Sequence, residues 1–546
     1  MRRFNIILPG ITVIFLSIAG TLFSQNTGFL RTQGQDIVDD TGKKILLQGV
    51  GLGNWLLPEG YMWKFEDEGD RPRKIEKIVR DLIGAEEADR FWTEFRKYYI
   101  TEADIKRMAE LGFNSVRPAL NARRFLSEDD QPVFINEGFE LLDNLIGWCR
   151  KYHIYVIIDM HGAPGGQTGA NIDDSPNDLP ELFMDTKYQD RLVNLWVKIA
   201  ERYKNEPVVA AYDLLNEPLP KNTGAAERYK DQLEPLYKRL TGAIRQVDSK
   251  HMITLEGVDW ANNWSVFSVP FDKNLFYQFH YYCWDQPDHL KSISPFLAWR
   301  DQLNTPVWVG ETGEKGNTIY WGTTQYFEAH NIGWSFWPWK KMDTRNTPYS
   351  INKPDGWDEI IAYTRSQANP SRESARKVFN QLLENIKIEN CVYFADVVNA
   401  IFRRIPGKVE AENYGHNGFD QSYFVKDTTH LSKFYRLSEP VPVEVIDPGE
   451  HSHVSEQCIK LDEGEWTVYQ INCPDPVTSK ASIKVKAENI PAEFRFSVNG
   501  KTSAFKINTT GWNNLNLGEY NFDRGKHDIK FSVSSGVIYL DWFKFD

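Results

Sequence analysis

Between Ile45 and Lys340 the chain repeats one pattern: a short apolar run, a polar turn, then a longer stretch whose apolar residues recur every three or four positions. The runs are Ile45–Trp55, Ser115–Leu120, Tyr155–His161, Val209–Asn216, Met252–Val258, Leu275–Tyr282, Val307–Glu311 and Gly333–Trp339. Between them Glu137–Lys151, Tyr188–Tyr203 and Ala225–Val247 carry helical periodicity. Eight strands alternating with helices predict an α/β fold, a (β/α)₈ TIM barrel rather than an open sheet.

The pattern changes past the eighth run. Thr344–Ser371, with Pro348, Pro354 and Pro370, reads as the last loop, and Ser374–Phe402 as terminal helices. Beyond Arg403-Arg404-Ile405-Pro406-Gly407 the chain turns to short alternating runs: Lys408–Glu412, Glu465–Ile471, Ala481–Lys486, Glu493–Val498, His527–Val533 and Val537–Phe545. These predict a C-terminal all-β sandwich domain. The expected organisation is a barrel over residues 26–403 and a sandwich over 405–546.

Ahead of the barrel, Met1-Arg2-Arg3 precedes an uncharged apolar run from Ile6 to Phe23, broken by Pro9-Gly10. That is the layout of a secretory signal peptide, assigned to residues 1–24, and it predicts a secreted or periplasmic protein with no membrane attachment after cleavage. With 63 basic and 75 acidic residues the net charge is −12, so nothing favours phosphate backbones and no nucleic-acid partner is expected. Five cysteines, Cys149, Cys283, Cys391, Cys458 and Cys473, form neither a disulfide framework nor a paired metal motif; Cys458 and Cys473 either pair or stay free. Eighteen tryptophans are a further cue, since flat apolar rings stack on sugars.

In such a barrel the chemistry sits where strands end. The second run delivers Arg117, the third Asp159-Met160-His161, the fourth Asn216-Glu217-Pro218, the sixth His280-Tyr281-Tyr282, the seventh Gly310-Glu311-Thr312, and the eighth Trp337 and Trp339. Glu217 and Glu311 are the central pair. Two carboxylates across a cleft supply a proton donor and an opposing group for acetal cleavage; about 5 Å between them implies a nucleophile and retention, about 6.5–9.5 Å a water and inversion.

Taken in order, Asn216-Glu217-Pro218, Glu311 after Trp308-Val309-Gly310, Arg117 in Ser-Val-Arg-Pro, His161 in Asp-Met-His-Gly, and His280-x-Tyr282 resemble glycoside hydrolase family 5, the cellulase-like retaining hydrolases. The resemblance implies Glu217 as acid/base and Glu311 as nucleophile. It places Arg117, His161, Asn216, His280, Tyr282 and Trp337 among the substrate-binding residues. Arg117 and Tyr282 would hold Glu311 ionised, Asn216 would bond a sugar 2-hydroxyl, and Trp337 rather than Trp339 would be the sugar platform. No catalytic metal or organic cofactor is implied. Glu256 reads as a supporting charge, and Trp55, Trp260, Trp264 and Trp284 as rim aromatics. The long Gly162–Asp185 loop, too glycine-rich to be core, is similar to the exo-acting β-1,3-glucanase branch; with Asp173-Asp174 it implies a partly closed cleft.

In the second domain Val409–Tyr414, Gly464–Tyr469, Thr510-Gly511-Trp512 and Leu540–Phe543 resemble carbohydrate-binding modules of families 6 and 35. That resemblance implies a structural calcium ion (Ca2+) on Glu410, Glu412 and Asp541, and Trp512 as a stacking residue. The expected partner is a polysaccharide or oligosaccharide, and the expected activity hydrolysis of a β-linked glycan, a β-glucan first. The alternatives are mannan, another β-hexoside or a furanoside, a metal-dependent barrel hydrolase, and a glycan-binding protein with an inactive barrel.

Overall fold

The computed structural model describes residues 28–283, 290–432, 435–447 and 456–546. The segment expected to be a signal peptide and Trp284 lie outside these residues.

Eight parallel strands close into a barrel: β1 (Gln48–Leu52), β2 (Ser115–Asn121), β3 (Tyr155–Gly162), β4 (Val209–Asp213), β5 (Met252–Glu256), β6 (Leu275–Tyr281), β7 (Val307–Gly313) and β8 (Gly333–Trp337), with β8 paired to β1. Each strand lies within the expected run or one or two residues past it, and several are shorter. β4 stops at Asp213, so Asn216 and Glu217 belong to the loop beyond it, where Glu217 adopts a left-handed backbone (φ 40°).

The longest excursion, between β1 and β2, carries helices Pro72–Ile83, Ala85–Tyr99 and Glu102–Leu111, which the strand-centred pattern did not single out. The last of these starts in a capping box, Thr101 with Asp104, and stops at Gly112 (φ 97°), a left-handed position that favours glycine. The stretch expected as one helix over Ala225–Val247 is two, Ala225–Tyr229 and Leu233–Arg245. The last loop is not featureless: strands Lys340–Met342 and Tyr349–Ile351 and helix Trp357–Thr364 occupy it.

An N-terminal hairpin, Arg31–Gln33 with Asp36–Val38, closes the barrel floor, where Leu30, Leu47, Ile157, Met252, Phe276 and Trp308 form a separate apolar cluster. The floor is thus sealed by hydrocarbon, while the opposite rim collects polar side chains.

Helix Ala395–Phe402 ends the barrel and strand Gly407–Glu410 begins a two-sheet antiparallel sandwich. One sheet runs 443–447, 456–462, 537–545, 477–487, 511–522, with 407–410 on the strand 537–545; the other runs 423–424, 466–473, 525–535, 492–498, 501–507. The expected strands are present, four of them longer than expected, and Val443–Asp447, Glu456–Asp462, Lys501–Ile507 and Gly511–Phe522 are among the additional ones. Trp321 of the barrel helix Asn317–Ala329 is buried in the sandwich core, joining the two units. All five cysteines are free thiols.

The calcium expected on Glu410, Glu412 and Asp541 does not fit this geometry. Among the described residues the metal-capable acid and histidine cluster lies elsewhere, at Glu217, His280 and Glu311. The chain supplies its own cations instead: Lys408 Nζ lies 2.5 Å from Glu410 Oε1, and Lys484 Nζ 2.6 Å from Asp541 Oδ2. Burial, reinforced by Glu410, pushes the Glu412 carboxyl well above the usual carboxylate range, which favours its neutral form.

Candidate active site

The strand ends converge on one cavity of about 860 Å³ at the C-terminal mouth of the barrel. Glu217, Glu311, His161, His280, Tyr282 and Trp337 line it. Arg117 and Asn216 are fully buried behind it and hydrogen-bond to the lining residues Glu311 and His161.

Glu311 sits in β7 directly opposite His280 of β6, a register reached through an irregularity between Phe279 and His280. Gly310 permits the approach: a Cβ there would lie 1.8 Å from Gln278 Oε1 and 2.9 Å from His280 Nε2. Both oxygens of Glu311 accept hydrogen bonds, Oε1 from Arg117 Nη1 at 2.6 Å and Oε2 from the Tyr282 hydroxyl at 2.9 Å. Burial raises the Glu311 carboxyl above the usual range, while His280 and Arg117 pull it back.

Glu217 meets Glu311 through His280. The Nδ1 of His280 is 2.7 Å from Glu217 Oε1 and 3.6 Å from Glu311 Oε2. One ligand atom from each of the three residues lies within 4.8 Å of the others. Burial alone would depress the His280 imidazole, but the carboxylates of Glu256, Glu311 and Glu217 raise it well above its ordinary value.

Arg117 is the hub beneath. Besides Glu311 it donates to Asp213 Oδ2 (2.8 Å), Glu256 Oε1 (3.0 Å) and Asn216 Oδ1 (2.8 Å), and pairs with Asp159 at 3.2 Å. Asn216 Nδ2 donates to His161 Nε2 at 3.3 Å, and His161 Nδ1 lies 2.7 Å from Asp159. Burial lowers His161 to about 4, so near neutrality its Nδ1 proton goes to Asp159 and Nε2 accepts from Asn216. The amide and imidazole orientations thus follow from the charges behind them.

Glu256 is more central than a supporting charge. It is fully buried, accepts the backbone N–H of left-handed Glu217 at 2.6 Å, and faces His280 Nε2 at 3.4 Å. One carboxylate therefore fixes the Glu217 backbone, the His280 charge and one arm of Arg117.

Trp337 lies flat against His161, centroids 5.2 Å apart and planes 6° apart. It fits because Gly51 and Gly53 of the adjoining segment leave room; a Cβ at either would approach the indole to 2.2 or 2.6 Å. Trp339 is core, its Nε1 donating to Asp104. Trp260 lines the cavity, whereas Trp55 and Trp264 are packing residues. The glycine-rich loop is not loose: Gln167 and Thr168 are fully buried, and Gln167 Nε2 donates to the carbonyls of His161 and Asn216. Asp173 and Asp174 do not face the cleft. Asp173 caps Thr168 and Ser175, and Asp174 accepts from Arg123 and Asn121; Asn171 and Ile172 are the loop residues that reach the cavity.

The sequence reading missed Glu59, Tyr61, Glu314 and Lys341, which line the same cavity. Glu59 follows the first strand run, but four residues beyond its end and amid the apolar Leu56-Leu57-Pro58 and Tyr61-Met62-Trp63, which obscured the signal. Burial, then Glu311, Glu314 and Glu217, pushes its carboxyl well above the usual range, and its Oε1 has no hydrogen-bond partner among the described residues.

Glu217, His280 and Glu311 are also the donor set of a divalent-metal site. The fit is poor, because Arg117 and Tyr282 already hold both Glu311 oxygens and His280 Nδ1 points at Glu217.

Residues 81–343 match the family model Cellulase (glycosyl hydrolase family 5). The chain is 27% identical over 402 residues to a beta-xylosidase of Phanerodontia chrysosporium, covering 66% of this chain and 82% of that protein. It is 26% identical over 371 residues to a probable glucan 1,3-beta-glucosidase A of Aspergillus fumigatus, covering 57% of this chain and 85% of that protein. A crystal structure of endogalactoceramidase is similar at 16% identity and TM-score 0.44, covering 94% of this chain and 99% of that one. The barrel is thus similar over residues 81–343 to the glycosyl hydrolase family 5 model, and the protein is a glycosidase.

Proposed function

We propose that the protein is an exported hydrolase of a β-linked glycan, a β-glucan first, working by double displacement with retention. The observation that carries this reading is the approach of Glu217, His280 and Glu311 atoms to within 4.8 Å at the barrel mouth. That approach supports a nucleophile and an acid/base sharing one anomeric carbon, since an inverting pair is spaced about 6.5–9.5 Å apart.

A sugar resting on Trp337 presents its anomeric carbon to Glu311. The Glu311 oxygen attacks while Glu217 passes a proton to the departing glycosidic oxygen, giving a glycosyl ester. Water then attacks the same carbon, Glu217 takes its proton, and Glu311 leaves as carboxylate. Arg117 and Tyr282 support the ionised nucleophile, and His280 shares the acid proton with Glu217 across 2.7 Å.

Export rests on the N-terminal pattern; among the described residues no helix is long and apolar enough to cross a membrane. The substrate assignment draws on the relatives, a beta-xylosidase and a probable glucan 1,3-beta-glucosidase. The sandwich is read as a carbohydrate-binding module, with the partly exposed Trp512 on the edge strand Gly511–Phe522 as contact residue, tested by retention of the full chain on insoluble β-glucan. The decisive experiment follows fresh product by proton NMR on a panel of β-glucans, β-xylosides and mannans. Initial appearance of the β-anomer supports retention; the α-anomer refutes it.

A further inference from the structure

The mechanism leaves one charged pair of the cavity unused. Glu314 follows Glu311 by three residues and holds a left-handed backbone (φ 57°), unusual outside glycine. Its Oε1 lies 2.5 Å from Lys341 Nζ, with side-chain exposures of only 7% and 9%. A desolvated pair at a cavity wall is costly unless its remaining donors and lone pairs are met. Lys341 has one hydrogen-bond acceptor among the described residues, Glu314, leaving two N–H groups.

The pair is part of a wall built from three loops. Asn346 Nδ2 donates to the Glu314 carbonyl (3.0 Å), and Lys341 Nζ lies 5.2 Å from the Tyr61 ring centroid. The Tyr61 hydroxyl accepts from Trp337 Nε1 (3.1 Å), and Lys64 Nζ donates to the Asp343 carbonyl (2.8 Å). These residues follow β7, β8 and β1. Glu217 follows β4, on the far side of the ring, and the loops after its neighbours β3 and β5 bring Asn171 and Trp260 to the cavity there. The leaving group therefore departs on the Asn171 and Trp260 side, and the retained sugar faces the Glu314–Lys341 wall.

We propose that the Glu314–Lys341 pair is a specificity-determining element that reads the hydroxyls of the non-reducing terminal sugar and ends the site after that one residue. Lys341 donates to one hydroxyl and Glu314 accepts from its neighbour, a match to an uncharged vicinal diol. Because Glu314 already balances the charge of Lys341, a uronic acid finds no spare cation there. The enzyme accordingly removes single neutral sugars from chain ends. This inference rests on the hydrolase reading above.

The test compares the full-length protein with Lys341→Met and Glu314→Gln on aryl β-glycosides and on β-oligosaccharides labelled at the reducing end. The unaltered enzyme releases a monosaccharide first. Each variant raises KM for the aryl glycoside roughly 10- to 100-fold, the loss of a charged hydrogen bond, with a smaller change in kcat, and the double variant loses less than the product of the singles. Glu314→Gln, nearly isosteric, keeps the test informative should the Lys341→Met melting temperature collapse. Internal cleavage as the first event, an unchanged KM, or preferred turnover of a uronoside overturns this inference while leaving the hydrolase reading intact. No turnover of any glycoside by the unaltered enzyme overturns both.

Discussion

Replacing Glu256 with glutamine separates geometry from charge at the heart of the site. The amide keeps the volume and can still accept the Glu217 backbone N–H now held at 2.6 Å, so the left-handed turn has reason to persist. What disappears is the negative charge 3.4 Å from His280 Nε2, the first of the carboxylates that raise its pKa. At an effective dielectric of about 20 a charge at that distance is worth about 5 kcal/mol. Arg117 loses the same partner and partly reorganises, so we expect a net effect of at least about 1.4 kcal/mol, one pH unit. The sign is fixed: His280 is held protonated by its carboxylate neighbours, and removing one lowers the pH at which His280 loses its proton. The assay is kcat/KM of an aryl β-glycoside against pH. The alkaline limb moves to lower pH by about one unit or more. An unmoved limb in a variant with unchanged melting temperature would refute the coupling.

Other consequences follow from the same contacts. Tyr282→Phe removes one of the two donors on Glu311, so the ionised form is less favoured and the acid limb shifts upward by about one unit; in the unaltered enzyme that limb already lies above the ordinary carboxylate range, because burial raises Glu311. Gly310→Ala drives a Cβ into Gln278 and His280, costing about 1–3 kcal/mol in thermal unfolding and more than tenfold in kcat/KM as Glu311 is displaced. Because Lys408 and Lys484 neutralise the acids of the sandwich, chelator treatment leaves its melting temperature unchanged, and a clear drop would restore the calcium.

The barrel was readable because its strands are buried on both faces and appear as continuous apolar runs, with helical periodicity between them. The strand-end rule then brought Glu217, Glu311, His161, His280, Tyr282 and Trp337 to one cavity. Other features needed three dimensions. Arg117 looked like a ligand residue because sequence shows that it ends a strand but not that it points under the rim at five partners. Gly165, Gly166 and Gly169 looked flexible, yet each occupies a left-handed position in a loop pinned by buried Gln167 and Asp173. The calcium ligands looked complete because Lys484 is remote from Asp541 in sequence and meets it only across paired strands, while Lys408, two residues from Glu410 on one strand, read as an ordinary surface charge. Glu314 and Lys341 escaped notice for the same reason: their partnership spans 27 residues and two strand ends.

The central claim is that Glu311 becomes bonded to sugar. A β-glycosyl fluoride bearing fluorine in place of the 2-hydroxyl slows both steps, the second more than the first, so a covalent intermediate accumulates and can be located by peptide mass analysis. A single glycosyl adduct on the peptide containing Glu311, lost on replacing Glu311 with glutamine, is the predicted result. An adduct on another residue, or rapid turnover that yields the α-anomer without any adduct, would contradict it.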